Sequence, residues 1–69
     1  MPLTMAVPGQ KNAIKRVGGK EETRKFLEKL GFVVGAIVTV VAENAGNVII
    51  NIKDSRVAIS SEMANKIII

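Results

Sequence analysis

Few side chains in this sequence could do chemistry, and they are scattered along it. The chain has no histidine and no cysteine, so it offers no imidazole base and no thiolate nucleophile. Ser55, Ser60 and Ser61 could in principle work with a lysine, but they fall at a predicted turn and a predicted helix cap, where serine commonly has a structural role. We therefore expect no catalytic residues, and we predict that the protein is not an enzyme.

The acidic residues do not indicate a metal site either. The six carboxylates are spread over the chain: Glu21 and Glu22 would open a helix, whereas Glu43 and Asp54 would lie in turns. Hard cations need several oxygen ligands brought together, and softer metals prefer imidazole or thiolate. We predict neither a bound metal nor another cofactor.

The basic residues are the stronger signal, because the net charge of +4 is carried by the first half of the chain. Before Gly35 there are seven lysines and arginines against three glutamates, whereas the remainder is neutral. A one-sided basic face fits an acidic protein, nucleic acid or an anionic membrane surface. An equally good explanation is a solvated helix face whose lysines provide solubility.

Length and composition limit what can present these residues. A chain of 69 residues has room for a single domain, which we place over residues 1–69. Hydrophobic residues make up 48% of it, but the only aromatic ones are Phe26 and Phe32, which both take predicted core positions. This composition argues against nucleic acid as a partner, because a binding surface for it usually offers exposed aromatic rings for base stacking.

Composition also bears on location. The absence of cysteine favours a reducing compartment, and we expect the protein to be cytoplasmic. No segment approaches the ~18 consecutive apolar residues that a membrane-spanning helix needs, and the first residues lack the pattern of a secretion signal. We therefore expect no direct membrane insertion.

A helix-to-strand joint at residues 26–41 organises the predicted fold. The apolar residues before Gly31 follow a helical period, and those after Gly35 are β-branched as in a strand. Gly31 stands where a helix ends in a left-handed residue, and Gly35 stands where a tight turn can enter a strand. The sequence therefore predicts a helix over Lys20–Leu30 followed by a strand over 36–42 that is covered on both faces.

The remaining segments predict four more strands. A first strand over 10–17 precedes the helix, two strands over 48–53 and 56–59 form a hairpin through Asp54-Ser55, and a last strand covers 66–69 after one helical turn capped by Ser60 or Ser61. Ile68 would be covered by a docked N-terminal segment or left as an adhesive edge. The predicted fold class is all-β: a small five-stranded SH3-like barrel with one α-helix inserted between strands 1 and 2 and a short helical turn before the last strand.

With chemistry excluded, a protein-binding surface remains the best functional prediction. The predicted face combines the helix with the turn that follows it. Its residues are Arg24, Lys25, Lys29, Gly31, Phe32, Val33 and Gly35. For Phe32 a core position is the more favoured alternative. The oligomeric state stays open.

The order and spacing of several short motifs resemble the FeoA family over nearly the whole chain. These motifs are Pro8-Gly9-Gln10, the helix with Arg24 and Leu27, Leu30-Gly31-Phe32 with Gly35, Val38-Thr39-Val40, and the hairpin strand 56–59. The resemblance implies an SH3-like accessory protein of ferrous iron uptake whose partner is the cytosolic part of the FeoB membrane transporter. The same fold also occurs as the last domain of some metal-dependent repressors. The alternative is therefore a regulatory domain that acts with a repressor or nucleic acid.

Overall fold

Six strands and two helices make up the computed structural model, which describes residues 1–69. After a 3₁₀ turn at Leu3–Met5, the elements are β1 (Lys11–Ala13), β2 (Arg16–Val17), α1 (Glu21–Lys29), β3 (Ile37–Asn44), β4 (Asn47–Ile52), β5 (Ser55–Ser60), α2 (Ser61–Ala64) and β6 (Ile67–Ile68). The strands form a four-stranded sheet in the order β1-β3-β4-β5 and a separate two-stranded sheet of β2 and β6. The molecule is thus mostly β with two helices, but its sheets do not close into the predicted five-stranded barrel.

The difference arises because the predicted first strand is broken at Ile14. Before the break, Ala13 pairs with Ile37 of β3; after it, Arg16 pairs with Ile68 of β6. Ile14 itself is fully buried between the two sheets. Residues 11–17 therefore contribute a strand to each of the two sheets. The bend lies at a buried residue, so it does not interrupt the alternating pattern that predicted a single strand.

Helix α1 forms where predicted and ends by a recognisable motif. The N–H of Phe32 donates to the carbonyl of Leu27 at 3.0 Å, and the N–H of Gly31 donates to the carbonyl of Glu28 at 2.9 Å. This is a Schellman ending, with Gly31 at φ +102° and an apolar contact expected between Leu27 and Phe32, both of which are fully buried. Gly35 also has a positive φ, as predicted for the turn into β3.

The prediction that Phe26 lies in the core is wrong. Phe26 exposes 46% of its surface, whereas its neighbour Leu27 is fully buried. One step along a helix rotates a side chain by about 100°, so a helix centred on Leu27 leaves Phe26 at the margin of its buried stripe. Thr23 and Leu30, one turn to either side of Leu27, are the half-buried members of that stripe.

Strand β3 is central in the sheet, but it is not covered on both faces as predicted. Val38 and Val40 are buried on the inner face, whereas Ile37 and Val41 are exposed on the other. A β-bulge at Val41 shifts the register with β4. No helix packs on the outer face, so this side of the sheet stays open to solvent.

The core is entirely aliphatic apart from Phe32. It contains fourteen buried residues, all hydrophobic, drawn from both sheets, both helices and the N-terminal segment. The N-terminal segment docks at Ile68, which was one of the two predicted alternatives, because Pro2 forms a β-bridge with Ile68. The Ser60 cap is confirmed, since its Oγ accepts a hydrogen bond from the N–H of Met63 at 3.2 Å. Neither helix has both the length and the apolar character needed to cross a membrane.

Candidate protein-docking face

Helix α1 packs on the domain through Leu27 and leaves most of its surface to solvent. At its start, Lys20 and Thr23 line a cavity together with Ser60 at the end of β5. At its other end, Gly31 lies against Ile52, where a Cβ on the glycine would be 3.5 Å from the isoleucine Cδ1. Ile52 pairs with Ser55, the first residue of β5. The opposite side of α1 faces outward.

The three predicted basic residues of this helix are all exposed, but they do not form one cluster. Lys25 and Lys29 are one turn apart and both point away from Leu27, whereas Arg24 projects from the opposite flank of the buried stripe, one turn from Glu28. Lys25 is also bound to Glu21, with Nζ and Oε1 3.2 Å apart. This pair is about two-thirds exposed on both sides, so it contributes only a few tenths of a kcal/mol.

Phe26 is the residue of this face that the sequence prediction missed. Its partly exposed ring lies one turn from Lys29 on the outward margin of α1. Aromatic side chains are enriched in the energetically dominant parts of protein interfaces, and long basic side chains readily border them. The sequence does contain a signal for this exposure, because a helical projection centred on Leu27 places Phe26 about 100° away from it.

The turn residues named in the prediction are of three kinds: one buried, one exposed, and two glycines that shape the backbone. Phe32 is fully buried, so its core alternative is the one that holds and its side chain is not available to a partner. Val33 exposes 42% of its surface and remains a possible contact. Gly31 and Gly35 shape the connection by their positive φ values rather than by presenting side chains. We define the α1 face as Phe26, Lys25, Lys29 and Val33, with Arg24 on its far flank.

The structure contains one cavity, and it lies apart from the outward side of this face. Its volume is about 300 Å³. The lining residues are Lys20, Thr23, Ser60, Glu62, Met63 and Lys66. No group of three or more acidic, histidine or cysteine side chains comes together anywhere in the molecule. The geometry therefore offers an exposed surface for a macromolecule more readily than an enclosed site for a small ligand.

A mostly β molecule with a two-stranded sheet, a four-stranded sheet and a helix packed on the domain through Leu27 belongs to the class of small SH3-like domains. The model of the FeoA domain matches residues 1–69, which is the entire sequence. The chain belongs to the FeoA family. A comparison with curated protein sequences finds no significant match.

Solved structures support the same assignment. The chain is similar to an iron uptake regulatory protein (FeoA), with 26% identity, a TM-score of 0.88 and coverage of 97% of this chain and 91% of that one. It is equally similar in sequence to iron(II) transport protein A from Clostridium thermocellum, at 26% identity and a TM-score of 0.89, but it spans 43% of that chain. A manganese-dependent transcriptional repressor shares the fold at 18% identity and a TM-score of 0.88, and 39% of its chain is covered.

Proposed function

We propose that this protein is a non-enzymatic accessory protein of ferrous iron uptake, which acts in the cytoplasm by binding the cytosolic part of an FeoB-type membrane transporter. Family membership supports the link to iron uptake, since two similar solved proteins carry iron uptake or iron(II) transport in their names. The binding mode rests on one observation, which is the outward side of α1. There an exposed phenylalanine lies next to lysines on an otherwise aliphatic domain.

The attachment of the helix suits a docking role. Leu27 is its one fully buried side chain, and the other residues of the stripe are only half buried. The outward residues can therefore be changed without disturbing the core. Of the basic residues, Lys29 is the best candidate for a contact with an acidic partner, because Lys25 already has Glu21 as its neighbour.

Charge reversal tests this proposal directly. The purified chain and its Lys29→Glu variant are titrated against the soluble cytosolic part of the transporter in a calorimeter. We expect the variant to keep its thermal stability and to bind at least fivefold more weakly, since a reversed rim charge next to an acidic surface costs about 1 kcal/mol or more.

The matched control is Lys15→Glu, which makes the same change at an exposed lysine outside α1. Equal losses for the two variants would indicate general attraction between charged proteins rather than docking through α1. Unchanged affinity for Lys29→Glu would count against the proposed face.

The alternative function is a regulatory domain that acts with a metal-dependent repressor or on nucleic acid. It is supported by the shared fold with the manganese-dependent repressor. Repressor or DNA binding would show as a band shift that weakens steeply with salt. The exposed surface of this chain has one phenylalanine and no tyrosine or tryptophan for stacking, which makes the transporter the better-supported partner.

A further inference from the structure

Three large aliphatic side chains stand exposed within five residues of the connection between α1 and β3. Val33, Val34 and Ile37 expose 42%, 68% and 52% of their surfaces. The neighbouring Phe32 is buried and Ala36 is half buried, so the inward positions of the segment are already taken. We call Val33, Val34 and Ile37 the aliphatic knob.

The backbone holds the aliphatic knob in place. The N–H of Gly35 donates to the carbonyl of Ile14 at 2.8 Å, and the N–H of Ile14 donates to the carbonyl of Ala36 at 2.9 Å. A third bond of 3.0 Å, from the N–H of Ala36 to the carbonyl of Val33, closes the turn. Because Ile14 is fully buried, these bonds anchor the turn to the core. The valines are therefore presented to solvent in a preformed arrangement.

Basic residues lie on the chain segment that is hydrogen-bonded to the aliphatic knob. Lys15 directly follows Ile14, the residue that is hydrogen-bonded to the turn, and Arg16 comes next. Lys11 opens β1 opposite Thr39, two residues along β3 from Ile37. All three basic side chains are exposed, and none is within 4.0 Å of a carboxylate, since the one ion pair of the molecule lies on α1.

Acidic residues are sparse around this surface. Residues 10–17 and 31–42 contain no aspartate or glutamate. Two carboxylates are placed at the same end of the sheet, Glu28 in the last turn of α1 and Asp54 in the turn that follows Ile52, and each has a lysine next to it in the sequence, Lys29 and Lys53. The surroundings of the aliphatic knob thus carry an excess of positive charge.

This combination fits an anionic lipid surface better than other occupants. A second copy would bring like charges together, and nucleic acid would find no aromatic ring among these residues on which to stack. Protein interfaces draw much of their binding energy from tryptophan and tyrosine anchors, among which valine is under-represented, and the only cavity of this molecule lies elsewhere, beside Ser60 and Lys66. A bilayer requires only protruding aliphatic groups that enter the headgroup boundary and cations that meet lipid phosphates.

We propose that the aliphatic knob, together with Lys11, Lys15 and Arg16, binds the surface of membranes that contain anionic phospholipids. The contact is peripheral: the valines reach the headgroup boundary, and no part of the chain crosses the bilayer. This function differs from transporter docking, although the aliphatic knob and the α1 face share Val33, and it would hold the domain at the membrane whether or not a transporter is present.

Vesicle flotation with the purified chain tests the proposal. Vesicles of phosphatidylcholine and phosphatidylglycerol in equal amounts are compared with vesicles of phosphatidylcholine alone, at low salt and at ~0.15 M and ~1 M salt. We expect the chain to float with the anionic vesicles only and to be released at the highest salt. Lys15→Gln should weaken binding about fivefold, because one cation near an anionic surface is worth about that factor.

Val34→Ser should weaken binding about three- to tenfold, because it removes apolar area from the contact. The matched controls are Val7→Ser, an equally exposed valine before β1, and Lys20→Gln, beside the cavity at the far end of the sheet; both should bind as the unchanged protein does. Circular dichroism checks that every variant is folded.

Three results would overturn the proposal. The first is no flotation with anionic vesicles at low salt. The second is binding that Val34→Ser leaves intact, which would reduce the effect to net charge alone. The third is a chain that does not bind vesicles but self-associates with rising concentration, or binds an acidic protein, and loses that association in Val34→Ser. This result would assign the surface to another occupant.

Discussion

Truncating each of the two phenylalanines separately should give very different losses of stability. Phe32 is fully buried and Phe26 is half exposed, although they are six residues apart at the same end of α1. Removing a fully buried phenylalanine costs about 3 to 5 kcal/mol, because both transfer free energy and a cavity are involved. A domain of 69 residues has a total stability of roughly 3 to 10 kcal/mol. Phe32→Ala should therefore lose much or all of its folded population.

Phe26→Ala should be far milder. Full burial of a phenylalanine is worth about 1.5 to 3 kcal/mol, and about half of this ring is already in water when the protein is folded, so the expected loss is about 1 kcal/mol. For a domain of this size that corresponds to a decrease in Tm of about 4 to 8 °C.

Urea unfolding followed by far-ultraviolet circular dichroism gives both values, since the chain has no tryptophan to report by fluorescence. The unfolding slope should stay constant between the unchanged protein and Phe26→Ala. If Phe26→Ala destabilised the protein as much as Phe32→Ala, the ring would be part of the core, and the α1 face would lose its apolar centre.

Three further substitutions test how local structure is held. Leu27→Ala should cost about 2 to 5 kcal/mol and speed amide exchange throughout α1, because this is the helix's one fully buried side chain; normal protection would show that other contacts hold the helix. Gly31→Ala should cost about 1 to 2 kcal/mol of stability, because the φ of Gly31 is +102°. The control Gly18→Ala, at a glycine without positive φ, should be close to neutral in the same thermal melt. Equal losses would show that the backbone conformation of Gly31 is not the cause. Ser60→Ala should cost about 1 kcal/mol by removing the cap to the N–H of Met63, and an unchanged Tm would show that water replaces it.

Much of the fold was predictable because short-range signals determine it. Glycines with a required positive φ marked the end of α1 and the entry to β3, and Ser60 marked the start of α2. The alternation of Val48, Ile50 and Ile52 placed β4 correctly, and all three are buried.

Tertiary geometry accounts for what the sequence prediction missed. Whether residues 10–17 form one strand or two depends on where β3 and β6 lie. The local sequence pattern does not distinguish these cases, because Ile14 is buried in both. The exposed face of β3 has a similar origin: Ile37 is apolar, but no element packs against it.

The candidate site shows the same limits. Exposure of Lys25, Lys29 and Arg24 could be predicted from helical periodicity, but the separation of Arg24 from the lysines depends on which residue faces the sheet. Once Leu27 is known to be the inward residue, Phe26 moves from the core to the surface. Phe32 moves the other way, from the predicted docking face to the core, because the Schellman ending directs its side chain inward. Val33 is left exposed.

Docking through the α1 face is tested most sharply by the affinity of Phe26→Ser for the soluble cytosolic part of the transporter, compared with that of the unchanged protein. If the α1 face is the docking surface, losing its aromatic residue should weaken binding about tenfold or more while the variant stays folded. Undiminished affinity of a folded Phe26→Ser variant would contradict the account, because the feature of this domain that most favours docking would then have no part in it.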